Sequence, residues 1–292
     1  MNIRQQLLKA LMLASVTTAA PVCTAMAGSA LHPTLNTLFE PLLADPMAPR
    51  IAVMTKLDER EVQLDIGAPV DLYQNDDKTF AAGVDFATWS LLKRGNDFKF
   101  PVDTIDYLFG VNTTWKKKIG DPGAAFDTAA TKLRLSHISA HFEDGHTDAN
   151  GQWLNPQLTP QGKIPFTYSR EFINLTTELS GPGRKVYLGY QYMFHTIPGG
   201  ICPSQFQAGA EIALPANSYL AADFKLLPVW DSVKQKTDSF RGTWNLQAGM
   251  RLSSVGLDNV RVVANYFCGM SRQGMYLNIP ESYTSLGMIV DL

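Results

Sequence analysis

One segment gathers side chains able to do covalent chemistry. Lys132-Leu133-Arg134-Leu135-Ser136-His137-Ile138-Ser139-Ala140-His141-Phe142 alternates residue by residue, so as a strand it places Leu133, Leu135, His137, Ser139 and His141 on one face. A serine hydroxyl becomes a nucleophile when a base lies within hydrogen-bond reach and a third group orients that base. The next alternating stretch, Pro165 to Leu179, puts Glu171, Ile173, Leu175 and Leu179 on one face and Arg170, Asn174 and Glu178 on the other. Ser139, His137 and Glu171 could therefore supply nucleophile, base and orienting acid from two neighbouring strands. All three fall on a face that is otherwise apolar, where polar groups are costly unless they are covered or do something. The competing arrangement turns the face inward near the strand top, which would make His137 and Ser139 ordinary hydrogen-bonded lumen residues.

A metal reading draws on His137, His141 and His146 with Asp144 and Asp148, but only the first two share a strand face. His146-Thr147-Asp148-Ala149-Asn150-Gly151 looks like part of a calcium loop. It has a histidine in place of the first acid and Gln157 where the closing glutamate belongs. The residues thus call for no cofactor, calcium being the one that their spacing touches.

The elements that must position these groups are strands with two different faces, each about ten residues long. In Arg184 to Thr196, Val186, Leu188, Tyr190, Tyr192 and Phe194 share one face, against Tyr187, Gly189 and Gln191. Phe206, Ala208, Ala210, Ile212 and Leu214 oppose Gln205, Gln207, Gly209 and Glu211, and Trp244 to Leu252 repeats the pattern. Twelve such strands are expected, beginning near residues 50, 61, 79, 103, 130, 165, 184, 204, 217, 239, 258 and 282. Ser180-Gly181-Pro182-Gly183, Pro215-Ala216-Asn217 and Ser254 to Asp258 are short turn sequences. They alternate with longer connections such as Glu143 to Lys163 and Met270 to Glu281. Short turns at one end and longer loops at the other are the habit of an all-β transmembrane antiparallel β-barrel of about 12 strands, with both termini in the periplasm.

A soluble sandwich or closed soluble barrel also alternates, but the signal peptide, the length of the strands and polar faces that pair Gln, Asn, Arg and Glu with Gly favour the membrane version. The chain has 292 residues, 45% apolar and 18% charged, with a mean hydropathy of -0.07. This excludes a disordered chain, a collagen-like one and a small disulfide scaffold, and it does not suit a basic nucleic-acid binder. A barrel hides its apolar half in alternation and so keeps a soluble-looking average. Residues 1–27 begin with Arg4 and Lys9, continue through an apolar core and close on Ala25-Met26-Ala27, the pattern of a secretory signal peptide. Its removal leaves 23 basic and 27 acidic residues, a net charge of -4. Residues 28–49 are then expected as an N-terminal periplasmic segment and residues 50–292 as the barrel. Export to the bacterial outer membrane would pass through periplasmic chaperones and the barrel-assembly machinery. Lys116-Lys117-Lys118 after Trp115 reads as an interfacial aromatic with snorkelling cations.

Leu38-Phe39-Glu40-Pro41-Leu42-Leu43-Ala44-Asp45-Pro46 with Pro49-Arg50, Asp106-Tyr107-Leu108-Phe109-Gly110, Leu133 to Asp144, and Tyr168-Ser169-Arg170-Glu171 resemble the bacterial family known as domain of unknown function 1207. One departure is Glu143, where that family has a glycine before the acid. The resemblance implies a surface barrel and supplies no substrate. The His137-x-Ser139 pair is also similar to that of outer-membrane phospholipase A, a twelve-stranded barrel with an Asn on the next strand. It is similar as well to that of the outer-membrane lipid A deacylase, whose third member is a Glu, the type found at Glu171. The Asn-Gly that follows the phospholipase serine is missing here. These resemblances imply a hydrolase acting on outer-membrane lipids, phospholipid or lipid A; the alternative is a non-enzymatic barrel, either a narrow channel or a surface protein.

Overall fold

Each expected strand start lies within three residues of a strand in the computed structural model, which describes residues 31–57, 59–95, 99–142, 168–253 and 256–292. The strands are β1 (Ile51–Lys56), β2 (Glu61–Gln74), β3 (Phe80–Lys93), β4 (Val102–Lys118), β5 (Thr128–Phe142) and β6 (Tyr168–Gly181). They continue with β7 (Arg184–Ile197), β8 (Ser204–Leu214), β9 (Ser218–Asp231), β10 (Lys236–Leu252), β11 (Leu257–Met270) and β12 (Pro280–Val290). Every strand pairs antiparallel with its sequence neighbours, and Ile51↔Val290 closes β1 onto β12, so the sheet has no free edge. The signal peptide and the Glu143 to Lys163 connection lie outside the described residues.

Polarity is inverted relative to a water-soluble core. Leu188, Val111, Phe206, Leu135 and Met288 stand exposed on the outer wall, while Asp65, Asp85, Asn245, Gln247 and Lys132 are buried inside. An apolar exterior with a polar interior is what a bilayer selects. The short turns share the end that carries the beginning of β1 and the end of β12. Ala216 and Asn217 both take positive φ there, the paired left-handed conformation of a two-residue hairpin turn. The β5–β6 and β11–β12 connections, the two expected to be long, join strands at the opposite end, while residues 119–127 between β4 and β5 form a longer link on the short-turn side.

Interior glycines admit large neighbours. Gly249 faces Tyr219 across β9 and β10, and a Cβ on Gly249 would sit 2.3 Å from the Tyr219 ring. The tyrosine hydroxyl donates to Gln247 Oε1 at 2.6 Å and accepts from Arg261 Nη1 at 2.7 Å.

The lumen is filled from both ends of the sequence. Residues 34–50 reach strands all round the barrel, which only a segment inside it can do. Leu38 N donates to Asp71 of β2 at 2.8 Å, Leu43 N to Glu211 of β8 at 2.8 Å, and the Ala44 carbonyl accepts from Asn245 of β10 at 2.7 Å. From Thr34 onward, the stretch expected as a periplasmic segment therefore runs within the barrel. These three partners lie 33 to 201 positions away in sequence, so no local pattern announces them. The β11–β12 connection also folds inward, burying Arg272, Gln273, Met275 and Tyr276. Gly274 N donates to Asp106 at 2.8 Å and the Tyr276 hydroxyl to Asp103 at 2.7 Å.

One carboxylate joins both fillings to the wall. Asp65 accepts from Arg50 Nε at 2.9 Å and from Arg272 Nη2 at 2.6 Å, and Arg272 also reaches the Pro46 carbonyl at 3.1 Å. Nearby, Asp45 is bonded to Lys225 and accepts from Gln207. Burial alone would raise the Asp45 carboxyl, but the Lys225 ammonium and the hydrogen bonds from Lys225, Met47 and Gln207 hold it below the ordinary carboxylate range.

Candidate functional site

Alternation continues to the end of β5. Leu133 and Leu135 face outward, Lys132, Ser136, Ile138 and Ala140 face inward, and His137 and Ser139 follow the leucines onto the outer wall. The inward arrangement considered from sequence is thereby excluded. His137 pairs directly with Glu171 and Ser139 with Ser169 across β5 and β6. Directly opposed residues share a face and their side chains meet. His137, Ser139 and His141 occupy the last six positions of β5, at the end of the barrel opposite the short turns.

His137 Nδ1 lies 2.6 Å from Glu171 Oε1. An ionised carboxylate only accepts, so this contact puts the proton on Nδ1 and leaves Nε2 as the basic nitrogen. The other carboxylate oxygen, Oε2, is bonded to Nδ1 of His195 on β7. Ser169 Oγ is 3.5 Å from Oε1, a marginal contact. Ser139 Oγ is 3.2 Å from His141 Nε2, and the His141 ring meets Tyr107 edge to face at 5.4 Å between centroids. Of the expected trio, His137 and Glu171 are thus brought together. Ser139 is beside them on the same face, but its hydroxyl is bonded to His141 and, among the described residues, has no hydrogen bond to His137.

His195 is the residue that sequence reading missed, and the reason is local. Strict alternation with Val186, Leu188, Tyr190, Tyr192 and Phe194 on the outside sends His195 inward. A β-bulge intervenes: Glu171 pairs with His195 and Phe172 with Met193, leaving Phe194 as the extra residue. Phe194 and His195 are consequently both exposed while Met193 is buried. A bulge re-aims a side chain in this way. The break in alternation at Phe194-His195-Thr196 is the one trace it leaves in sequence.

Most of the metal ligands suggested by spacing fall on undescribed residues. Asp144, His146, Asp148 and Gln157 lie outside the described residues, and among those described no cluster of His, Cys, Asp and Glu is arranged to hold a metal ion. Calcium takes six to eight oxygens. Among the described residues, the Glu171 carboxylate beside Ser139 already accepts from an imidazole at each oxygen, so it offers no free oxygen to calcium.

The fold defines a class, the closed antiparallel β-barrel with an apolar exterior, and solved structures of that class resemble it. Outer membrane phospholipase A from Escherichia coli superposes with a TM-score of 0.56 at 12% identity, covering 86% of this chain and 98% of that one. The Salmonella typhi outer membrane phospholipase dimer with bound calcium gives 0.56 at 11%, covering 88% and 96%. The KdgM porin gives 0.43 at 9%, covering 84% and 98%. At these identities the likeness to the two phospholipase structures shows the outer-membrane barrel fold alone. No family model and no curated protein sequence matches the chain, so the resemblance to the domain of unknown function 1207 family rests on motifs alone.

Proposed function

We propose that the protein is an outer-membrane lipid acyl ester hydrolase whose site lies on the outer wall of the barrel. The observation that carries this reading is the His137 Nδ1–Glu171 contact, with Ser139 two residues further along the same lipid-facing side. In it, Ser139 Oγ attacks an ester carbonyl while its proton passes to His137 Nε2. As the acyl–oxygen bond breaks, His137 returns that proton to the departing alkoxide, and water then releases the fatty acid from Ser139 by the same route. Glu171 orients His137 and stabilises its charged form. The reading requires that rotation about the Ser139 Cα–Cβ bond exchange the His141 partner for His137. The substrate class is the acyl ester of a phospholipid or of lipid A in the outer leaflet. The chemistry named for the phospholipase structures supports the choice of class.

A second reading, a non-enzymatic barrel, is favoured by the Ser139–His141 hydrogen bond, which leaves the trio unassembled. The two are separated by measuring fatty acid release from labelled envelopes carrying the wild type or Ser139→Ala. The hydrolase reading expects release that the substitution abolishes, and equal release by both would sink it. Reconstituted channel activity without acyl release would establish the second reading.

A further inference from the structure

The Glu171 carboxylate is shared by two imidazoles, and the acyl hydrolase reading on which this inference rests uses one of them. We propose that His195 is a positioning residue of that site, fixing the orientation of Glu171 and through it the working tautomer of His137. Three observations converge on it. His195 reaches the carboxylate oxygen that His137 leaves unused. It does so because of a β-bulge placed directly opposite Glu171, without which alternation would turn the ring into the lumen. And it stands on the outer wall, with 58% of its side chain exposed against 41% for His137 and 29% for Glu171, where no packing need of the barrel calls for an imidazole.

The physical role follows from the surroundings. A carboxylate on the lipid side has few donors to meet, and an unpaired oxygen there is costly. A Glu171 held at one oxygen only can rotate about its last side-chain bond, presenting either oxygen or neither to His137. With both oxygens accepting, the rotation is locked, the plane of the carboxylate is set by strands on either side, and His137 keeps its proton on Nδ1 and its lone pair on Nε2. The clamp thus spans three strands: His137 from β5, Glu171 from β6 and His195 from β7. Ser169, paired with Ser139 and 3.5 Å from Glu171 Oε1, lies too far to replace it.

The test uses purified full-length barrel in phospholipid vesicles bearing a fluorescent acyl chain, with variants first shown to migrate as folded, heat-modifiable species. His195→Phe keeps the ring's bulk and removes the donor, whereas His195→Asn places an amide N–H where Nδ1 stood. His195→Phe is expected to lower kcat on the order of 10²-fold, the loss that accompanies misplacement of a catalytic group by about 1 Å. KM should stay within about twofold, since uniform substrate binding is untouched. The acid limb of the kcat/KM profile, which reports the base, should move in the same variant. His195→Asn should restore most of the rate and the profile. Equal losses in the two variants, or a wild-type rate and profile in His195→Phe, would overturn the inference while leaving the hydrolase reading intact if Ser139→Ala is inactive. Release by Ser139→Ala equal to wild type would overturn both.

Discussion

Replacing Asp65 with alanine should loosen the filling of the barrel. Asp65 is fully buried on β2 and accepts from Arg50, which ends the inner segment, and from Arg272, which anchors the inward-folded β11–β12 connection. Both arginine side chains are themselves buried, at 7% and 2% exposure. Removing the acid leaves two cations facing each other where one carboxylate had bridged them. Two like charges about 5 Å apart repel by roughly 3 kcal/mol at an effective dielectric of 20. Breaking a buried ion pair by deleting one partner costs about 3–5 kcal/mol by direct measurement. The two routes agree, and water entering from the lumen favours the lower part of the range. Urea unfolding of the refolded barrel in vesicles should therefore show a loss of about 3–4 kcal/mol, and planar-bilayer recordings should show conductance events absent from the wild type. A second change, Arg272→Met in the Asp65→Ala background, removes one of the stranded charges and should recover about half of the stability. A shift below about 1 kcal/mol with unchanged conductance would refute the argument that this carboxylate pins the inner segment and the connection to the wall.

Two further outcomes follow from the same interior. Asp45 has a folded-state pKa below the ordinary aspartate value, so its contribution is present above about pH 4 and is lost as pH falls through the lower folded value. The stability difference between wild type and Asp45→Asn should accordingly be constant at neutral pH and shrink toward zero below about pH 4, as followed by melting against pH. Gly249→Ala forces a methyl to within 2.3 Å of the Tyr219 ring. It should cost about 1–3 kcal/mol, as overpacking does, seen as a lower urea midpoint at unchanged slope.

The ion-paired interior bears on the choice between hydrolase and channel. Lys132 and Arg134 are both bonded to Asp85, Lys185 is held among Glu40, Glu178 and Glu211, and Lys225 bonds Asp45. Among the described residues these lumen cations are paired with carboxylates, which weighs toward the hydrolase reading proposed above and is tested by the channel recordings.

The strand pattern was legible because a barrel strand contacts lipid on one side and the lumen on the other, so each residue's polarity reports its face. That single period located all twelve strands and placed His137, Ser139 and Glu171 outside, since two-residue spacing is a covalent property of an extended chain. Turn chemistry at Gly181-Pro182-Gly183 and Pro215-Ala216-Asn217 was likewise local. Three features were decided only by tertiary structure. The course of residues 34–50 through the lumen depends on hydrogen bonds to strands as far as 201 positions away, which no window of sequence contains. The partner of the Ser139 hydroxyl depends on side-chain rotation among two histidines on one strand face, which alternation treats as equivalent. And the position of His195 depends on a bulge, one extra residue in one strand, which reverses, relative to strict alternation, the face of every residue from His195 to the end of β7.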